Sequence, residues 1–333
     1  MSDTQNLLKA ALAAVAQTCA VARAVQQATG GMTRITKDDY SPVTVADFAV
    51  QALVALRLQE MLGSLVLVGE ETAADLGSEK SRALRDAVVA AVREVRPELS
   101  ATQVMQAIDL GNHDASSSAY WTLDPVDGTK GFLRGGQYAI SLGYIADGQV
   151  RVGVLGCPNL GPEPGQPFDR PASRGTLYFA CEGDGAWQLP DDAPQGKPVR
   201  IEVAATASLA AMRVCESVEA AHSRLDETQR VVESLGARGK PAQLDSQCKY
   251  AVVARGEADA YIRLPTRLDY REKIWDHAAG ALVAQEAGAR VTDIDGRALD
   301  FAQGATLARN RGVVCAIPAF HGRIIETIAE LWG

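Results

Sequence analysis

Several residue patterns that mark common chemistries are missing from this chain. The six cysteines, Cys19, Cys157, Cys181, Cys215, Cys248 and Cys315, are scattered, and no C-x-x-C occurs. A zinc ribbon, a redox dithiol and a disulfide framework all lack their spacing, so buried free thiols in a reducing compartment are expected. There are four histidines, His113, His222, His277 and His321, and no H-E-x-x-H, which removes a His-ligated zinc site. The P-loop, the G-x-S-x-G elbow and a strand followed by G-x-G-x-x-G are all absent. Basic residues are the minority. Lys and Arg number 33 against 41 Asp and Glu, a net charge of −8, which does not suit a protein that coats nucleic acid. A small anionic ligand is still permitted, because a basic pocket or a bound metal can reverse the sign inside one cleft.

Long uninterrupted apolar runs are also missing. The most apolar long stretch, residues 52–69, is broken by Arg57, Gln59 and Glu60. Near the N-terminus, Leu8, Leu12, Val15, Cys19 and Ala22 recur at steps of three and four, and Gln17, Thr18 and Arg23 interrupt the run. That is the pattern of an amphipathic helix ending near Gly30-Gly31, not of a signal peptide. A cytoplasmic location is expected.

What is present is ordinary globular composition, 47% hydrophobic and 22% charged over 333 residues. The length suggests two domains or one large one. A second helix is expected over 45–62, capped by Thr44 or Ser41. A buried strand over 65–68 stops at Gly69-Glu70-Glu71. Residues 81–109 read as helix with a break near Pro97. A strand over 120–123 runs into Asp124-Pro125-Val126-Asp127-Gly128-Thr129. Asp147-Gly148 joins a hairpin. Beyond about residue 205, strands (212–216, 258–264, 290–292, 312–317) alternate with helices (226–235, 276–286, 318–331). The first part therefore reads as α+β over 1–205 and the second as α/β over 206–333.

The chemistry concentrates in acids at the ends of these elements. Asp124 and Asp127 stand three apart across a proline that is expected to stop the strand. The turn can aim both carboxylates and the Val126 carbonyl into one space. Gly128 permits close backbone approach, and Thr129 opens a short helix whose free N–H groups suit an anion. Glu70 and Glu71 close another strand, and Asp276 begins a helix. Taken singly, Asp276 reads as an N-cap, Glu70-Glu71 as a solvated loop and the Asp-Pro-Val-Asp segment as an Asx turn. Taken together, hard oxygen ligands at three element ends suit Mg²⁺, Mn²⁺ or Ca²⁺ rather than zinc.

The run Asp124-Pro-Val-Asp-Gly-Thr-Lys-Gly-Phe-Leu-Arg-Gly135 resembles the signature of the lithium-sensitive, magnesium-dependent phosphatases of the inositol monophosphatase superfamily. Ser41-Pro-Val-Thr-Val-Ala-Asp47, Gly69-Glu-Glu71 and Trp275-Asp-His-Ala-Ala-Gly280 extend the resemblance over nearly the whole chain. The extension Lys130-Gly-Phe-Leu-Arg-Gly135 is similar to the branch of 3′(2′),5′-bisphosphate nucleotidases. The resemblance implies a layered αβαβα sandwich and two or three Mg²⁺ ions. Glu70, Asp124, the Val126 carbonyl and Asp127 would hold the first metals, and Asp276 would join Asp124 and Asp127 at a second. Asp47 and Thr129, hydrogen-bonded to one another, would orient the attacking water. Amides at Gly128 and Thr129 would hold the phosphate.

Segments around Ser217 to Ser223, Asp245 to Tyr250 and Tyr261 to Pro265 resemble substrate-binding stretches of that branch. They implicate His222 and Ser223 beside the sugar and phosphate, and Ser246, Lys249 and Arg263 at the 5′-phosphate. Where many members carry further Ser and His, this chain has Arg224-Leu225. The expected substrate is adenosine 3′,5′-bisphosphate, with 3′-phosphoadenosine 5′-phosphosulfate second. No nucleic acid or membrane partner is expected, and the protein would act as a monomer or homodimer. Inositol polyphosphate 1-phosphatase or inositol monophosphatase activity, or a non-catalytic nucleotide sensor, are the alternatives.

Overall fold

A computed structural model describes residues 3–29, 34–36, 42–218, 225–265, 267 and 269–332. Helix α1 spans Asp3–Thr29. Strands β1 (Arg34–Thr36) and β2 (Pro42–Thr44) pair antiparallel and lead into α2, Val45–Leu62. Almost every residue of the first three turns of α2 is buried. A helix apolar all round must be enclosed, and α2 is: it packs against α1, the large sheet, and helices α3 (Arg82–Arg93) and α4 (Ala101–Asp109).

The large sheet contains β3 (Leu67–Gly69), β4 (Ala119–Asp127), β5 (Ala139–Ala146), β6 (Gln149–Cys157), β7 (Thr176–Cys181), β8 (Ala186–Pro190) and β9 (Val199–Ile201), side by side in chain order. Only β3 and β4 run parallel. The short helix α5, Thr129–Leu133, follows β4. The expected hairpin joins β5 to β6, with Asp147 and Gly148 both at positive φ.

The second sheet has the order β11-β10-β12-β14-β13, with β10 at Val214–Glu216, β11 at Ala242–Gln243, β12 at Ala260–Arg263, β13 at Arg290–Thr292 and β14 at Val313–Ala316. Helices α6 (Leu225–Ser234), α7 (Cys248–Ala254), α8 (Ala278–Glu286) and α9 (Pro318–Trp332) connect and cover it.

The layers follow from which apolar faces meet. Ala10, Ala14, Val15, Cys19 and Ala22 of α1 and the inner face of α2 cover one side of the large sheet. By length and composition α1 could cross a membrane, but this stripe is spent on the sheet. Helices α7 and α8 fill the space between the two sheets. Helices α6 and α9 cover the far face of the second sheet through Val231, Phe320, Ile324 and Ile328. The result is the expected αβαβα sandwich.

Proline 125 departs from the sequence reading. It does not end the strand, because β4 continues through Asp127 with its register broken between Asp124 and Asp127. A bulge absorbs the missing N–H and keeps the chain beside β5.

The middle layer docks closely because the contact is built from small residues. A Cβ on Gly153 of β6 would lie 2.8 Å from the Ala279 carbonyl oxygen, and one on Gly143 of β5 would lie 3.1 Å from the Ala278 Cβ. Gly153→Ala should therefore destabilise the protein by about 1–3 kcal/mol through overpacking. An unchanged midpoint in urea unfolding would show that α8 is free to retreat.

Candidate active site

Four element ends converge where the middle helical layer meets the large sheet. Helix α2 begins with a capping box: the Thr44 hydroxyl and amide both donate to Asp47 Oδ2, at 2.5 and 2.8 Å. This fixes Asp47 in the first helical turn, with its side chain buried. One turn later on the same helix, buried Gln51 donates to the Glu71 carbonyl at 2.6 Å and accepts from the Glu71 amide at 3.0 Å. Gly69 leaves room for that amide, since a Cβ there would collide with it. Thus α2 holds both Asp47 and the strand end that carries Glu70.

Strand β4 supplies Asp124, Val126 and Asp127 at its bulged end. The Asp124 carboxyl is pushed well above the ordinary carboxylate range, first by burial and then by the negative charges of Glu70, Asp127, Asp276 and Asp47. Acids separated by more than two hundred residues in sequence therefore share one volume. Burial also raises Asp127, opposed by the positive charge of Lys249 and by the Gln247 amide, which donates to its Oδ2 at 2.5 Å. Asp276 lies just before α8 and is pushed up to about 6 by burial, against the pull of Arg263 and His277. The helix cap is His277 rather than Asp276, which frees the Asp276 carboxylate for the cleft.

The second sheet reaches into this cleft through the turn at Asp245, Ser246 and Gln247. Ser246 is one of three non-glycine residues at positive φ among those described, at 71°. Its Cβ would lie 2.8 Å from a Cβ on Gly128, which itself sits at φ 87°. Glycine is required there both for its conformation and for the approach. Asp245 binds Arg134 at 2.5 Å, so the Lys130-to-Gly135 extension is tied to the second sheet by an ion pair. The Gln247 side chain donates to the Trp275 carbonyl at 2.9 Å and accepts from the Gly280 amide at 3.2 Å. One residue thereby links the Asp127 end of β4 to the Asp276 segment.

Two cations sit beside the acids. Lys249, on α7, is buried, and its ammonium donates to the Ser217 hydroxyl at 3.1 Å and the Leu244 carbonyl at 3.3 Å. Burial lowers its pKa, while the charges of Asp245 and Asp127 act the other way. Arg263, at the end of β12, pairs with Glu272 at 2.8 Å and lies 3.7 Å from Asp276. Glu272 is held down to about 2: burial would raise it, but Arg263 and His277 more than offset that.

The structure thus brings together Asp47, Glu70, Asp124, Asp127 and Asp276, sets Gly128 and Thr129 at the start of α5, and places Ser246, Lys249 and Arg263 on the facing side. His222 and Ser223 lie outside the described residues. No Asp47–Thr129 hydrogen bond, which the resemblance implied, is present among the described residues. The Thr129 hydroxyl instead donates to the Val126 carbonyl at 3.2 Å, and the capping box engages Asp47. Gln51, Gln247 and Glu272 were not singled out in the sequence. Only their neighbours pointed to them: Gln51 and Gln247 are ordinary polar residues with partners remote in sequence, and Glu272 is an ordinary acid that meets Arg263 and His277 nine and five positions away.

The residues suit a hard divalent cation. The donors are all oxygen, and Asp124 Oδ1 is buried with no hydrogen-bond partner among the described residues. A buried carboxylate oxygen without a donor is relieved by a proton or by a cation, and an all-oxygen donor set suits a hard divalent one. Glu272, Asp276 and His277 also offer ligand atoms within 4.8 Å of one another. Glu272 is already neutralised by Arg263, so that trio is an ion-pair network rather than a metal cage.

The sequence profile of the inositol monophosphatase family matches residues 3–332. The chain belongs to this family. Within it, the chain is similar to the 3′(2′),5′-bisphosphate nucleotidase of Emericella nidulans, 39% identical over 319 residues, covering 89% of this chain and 90% of that protein. The 3′(2′),5′-bisphosphate nucleotidase of Dictyostelium discoideum is 35% identical over 339 residues, 99% of this chain and 98% of its own length. Among solved structures, the Thermotoga maritima IMPase superposes with a TM-score of 0.65 at 20% identity, covering 96% of this chain and 95% of its own. That likeness shows the sandwich fold alone.

The gathered acids have a consequence for stability. A carboxyl whose folded pKa exceeds its unfolded value binds its proton more tightly when folded. Stability in chelator should therefore fall as pH rises from the ordinary 3.8 through the folded value of about 6 at Asp276. The melting temperature in chelator should be lower at about pH 7.5 than at about pH 5, and added Mg²⁺ should raise it more at the higher pH. Equal Mg²⁺ shifts at both pH values would mean that these acids are not the metal site.

Proposed function

We propose that the chain hydrolyses the 3′-phosphate of adenosine 3′,5′-bisphosphate, giving AMP and phosphate, with Mg²⁺ as its metal. 3′-Phosphoadenosine 5′-phosphosulfate is the second substrate. The observation that carries the choice is the pair of cations beside Asp127 and Asp276, the buried Lys249 and the half-buried Arg263. Lys249 has no carboxylate within ion-pair reach among the described residues; its close partners are a hydroxyl and a carbonyl. A buried ammonium in that setting favours an anion. A substrate with a second phosphate, held away from the acids, supplies one; an inositol monophosphate does not. The names of the similar fungal and amoebal proteins agree with this reading.

In this reading Glu70, Asp124, the Val126 carbonyl, Asp127 and Asp276 hold the ions. When bound, two or three Mg²⁺ ions cancel the carboxylate repulsion, acidify a water and stabilise the leaving oxygen. Asp47 accepts the proton of the attacking water, its carboxylate held in place by the α2 capping box. Thr129 is restrained by the Val126 carbonyl, and the amides of Gly128 and Thr129 receive the phosphate oxygens. Water adds to phosphorus as the bond to O3′ breaks; O3′ takes a proton from solvent as it leaves, and Asp47 returns its own to solvent. Ser246, Lys249 and Arg263 hold the 5′-phosphate, so positioning and charge stabilisation carry the reaction. This reading puts the reaction in a reducing compartment such as the cytoplasm, which six free and buried thiols suit.

Phosphate release from adenosine 3′,5′-bisphosphate should exceed that from inositol 1,4-bisphosphate and inositol 1-phosphate. Faster turnover of either inositol ester would overturn the choice of substrate, and tight nucleotide binding without phosphate release would point to a sensor. Asp47→Asn should lose about 100-fold or more in turnover while keeping its Mg²⁺-induced rise in melting temperature. A near-normal rate would remove Asp47 from the proton transfer.

A further inference from the structure

Glu272 is 3% exposed, in the segment that approaches α8. It meets Arg263 side-on, Oε1 accepting from Nε at 3.1 Å and Oε2 lying 2.8 Å from Nη2. The same Oε2 lies 3.2 Å from His277 Nε2. Glu272 can only accept, so the hydrogen is on Nε2, and His277 Nδ1 is free to take the Tyr250 hydroxyl at 2.8 Å. The Tyr250 ring stands edge-on to Tyr261 at 5.1 Å, and the Lys249 ammonium lies 5.2 Å from the centre of that Tyr261 ring. One buried chain, Glu272, His277, Tyr250 and Tyr261, therefore lies behind both cations.

Arg263 has a choice of carboxylates. Glu272 lies at 2.8 Å and Asp276 at 3.7 Å. A guanidinium released from Glu272 would be drawn onto Asp276, the nearer remaining acid. Its outward N–H groups would then turn away from the place where a second phosphate would sit. The side-on fork engages Nε and Nη2, which leaves Nη1 outside it. His277 fixes the rotamer of Glu272 in turn.

We propose that Glu272, oriented by His277, is a positioning residue that sets substrate selectivity by holding Arg263 toward the 5′-phosphate and off Asp276. This rests on the reading that Arg263 and Lys249 receive that phosphate. The test compares kcat/KM for adenosine 3′,5′-bisphosphate with that for adenosine 3′-phosphate, which lacks the group Arg263 would hold. The ratio cancels any loss common to both substrates, including a disturbance at Asp276 or incomplete folding.

In Glu272→Gln the ratio should fall about tenfold or more, with KM for the bisphosphate carrying the change. Glu272→Asp keeps the charge but shortens the fork, and should fall between the variant and wild type. It carries the same test if the Gln variant does not fold. A wild-type ratio near one would sink the 5′-phosphate reading itself. A clear wild-type preference that both variants retain would overturn the role of Glu272 alone.

Discussion

Like charges crowded into a volume with little water repel, and this site is built around that repulsion. Burial and its acidic neighbours hold Asp124 above the ordinary range, and Asp276 is raised as well. Left to itself, such a cluster would push its element ends apart. The frame prevents this by fixing the element ends, in part through the backbone and in part through hydrogen bonds to the Asp47 and Asp127 carboxylates. Gln51 grips the Glu71 backbone, the Thr44 capping box pins the first turn of α2, and the bulge at Pro125 keeps β4 in the sheet. The protein thereby keeps an unfavourable charge arrangement ready for an ion that relieves it.

The cleft has two walls of opposite sign, and the turn from Asp245 to Gln247 joins them. Ser246 in its left-handed conformation presses on Gly128, Gln247 donates to Asp127, and Asp245 anchors Arg134. A shift of the second sheet would therefore move the Asp127 end of β4 and the start of α5 together. Lys249 follows this turn directly, so the buried ammonium keeps a defined distance from the acids. Arg263 arrives from a different strand and needs its own restraint, the carboxylate of Glu272.

The element pattern was largely legible in the residues. The boundaries of α2, the Asp147-Gly148 hairpin and β13 match the reading from periodicity and turn chemistry. These features depend on neighbours within a few positions, which a linear reading sees. Proline 125 misled because its effect depends on whether a bulge is available, and that is decided by the partner strand β5. Helix α7, which carries Lys249, was missed: its seven residues are all buried, so no polar face marks it.

The identity of the acids, the glycine that must follow them and the order of motifs were written in the chain, because oxygen ligands and backbone freedom are properties of single residues. The partnerships were not. That Ser246 meets Gly128, that Gln247 spans Asp127 and Gly280, and that Glu272 rather than Asp276 neutralises Arg263 depend on packing two sheets around one helical layer. Such contacts join residues up to about a hundred and twenty positions apart, and no local pattern encodes a distance across a fold.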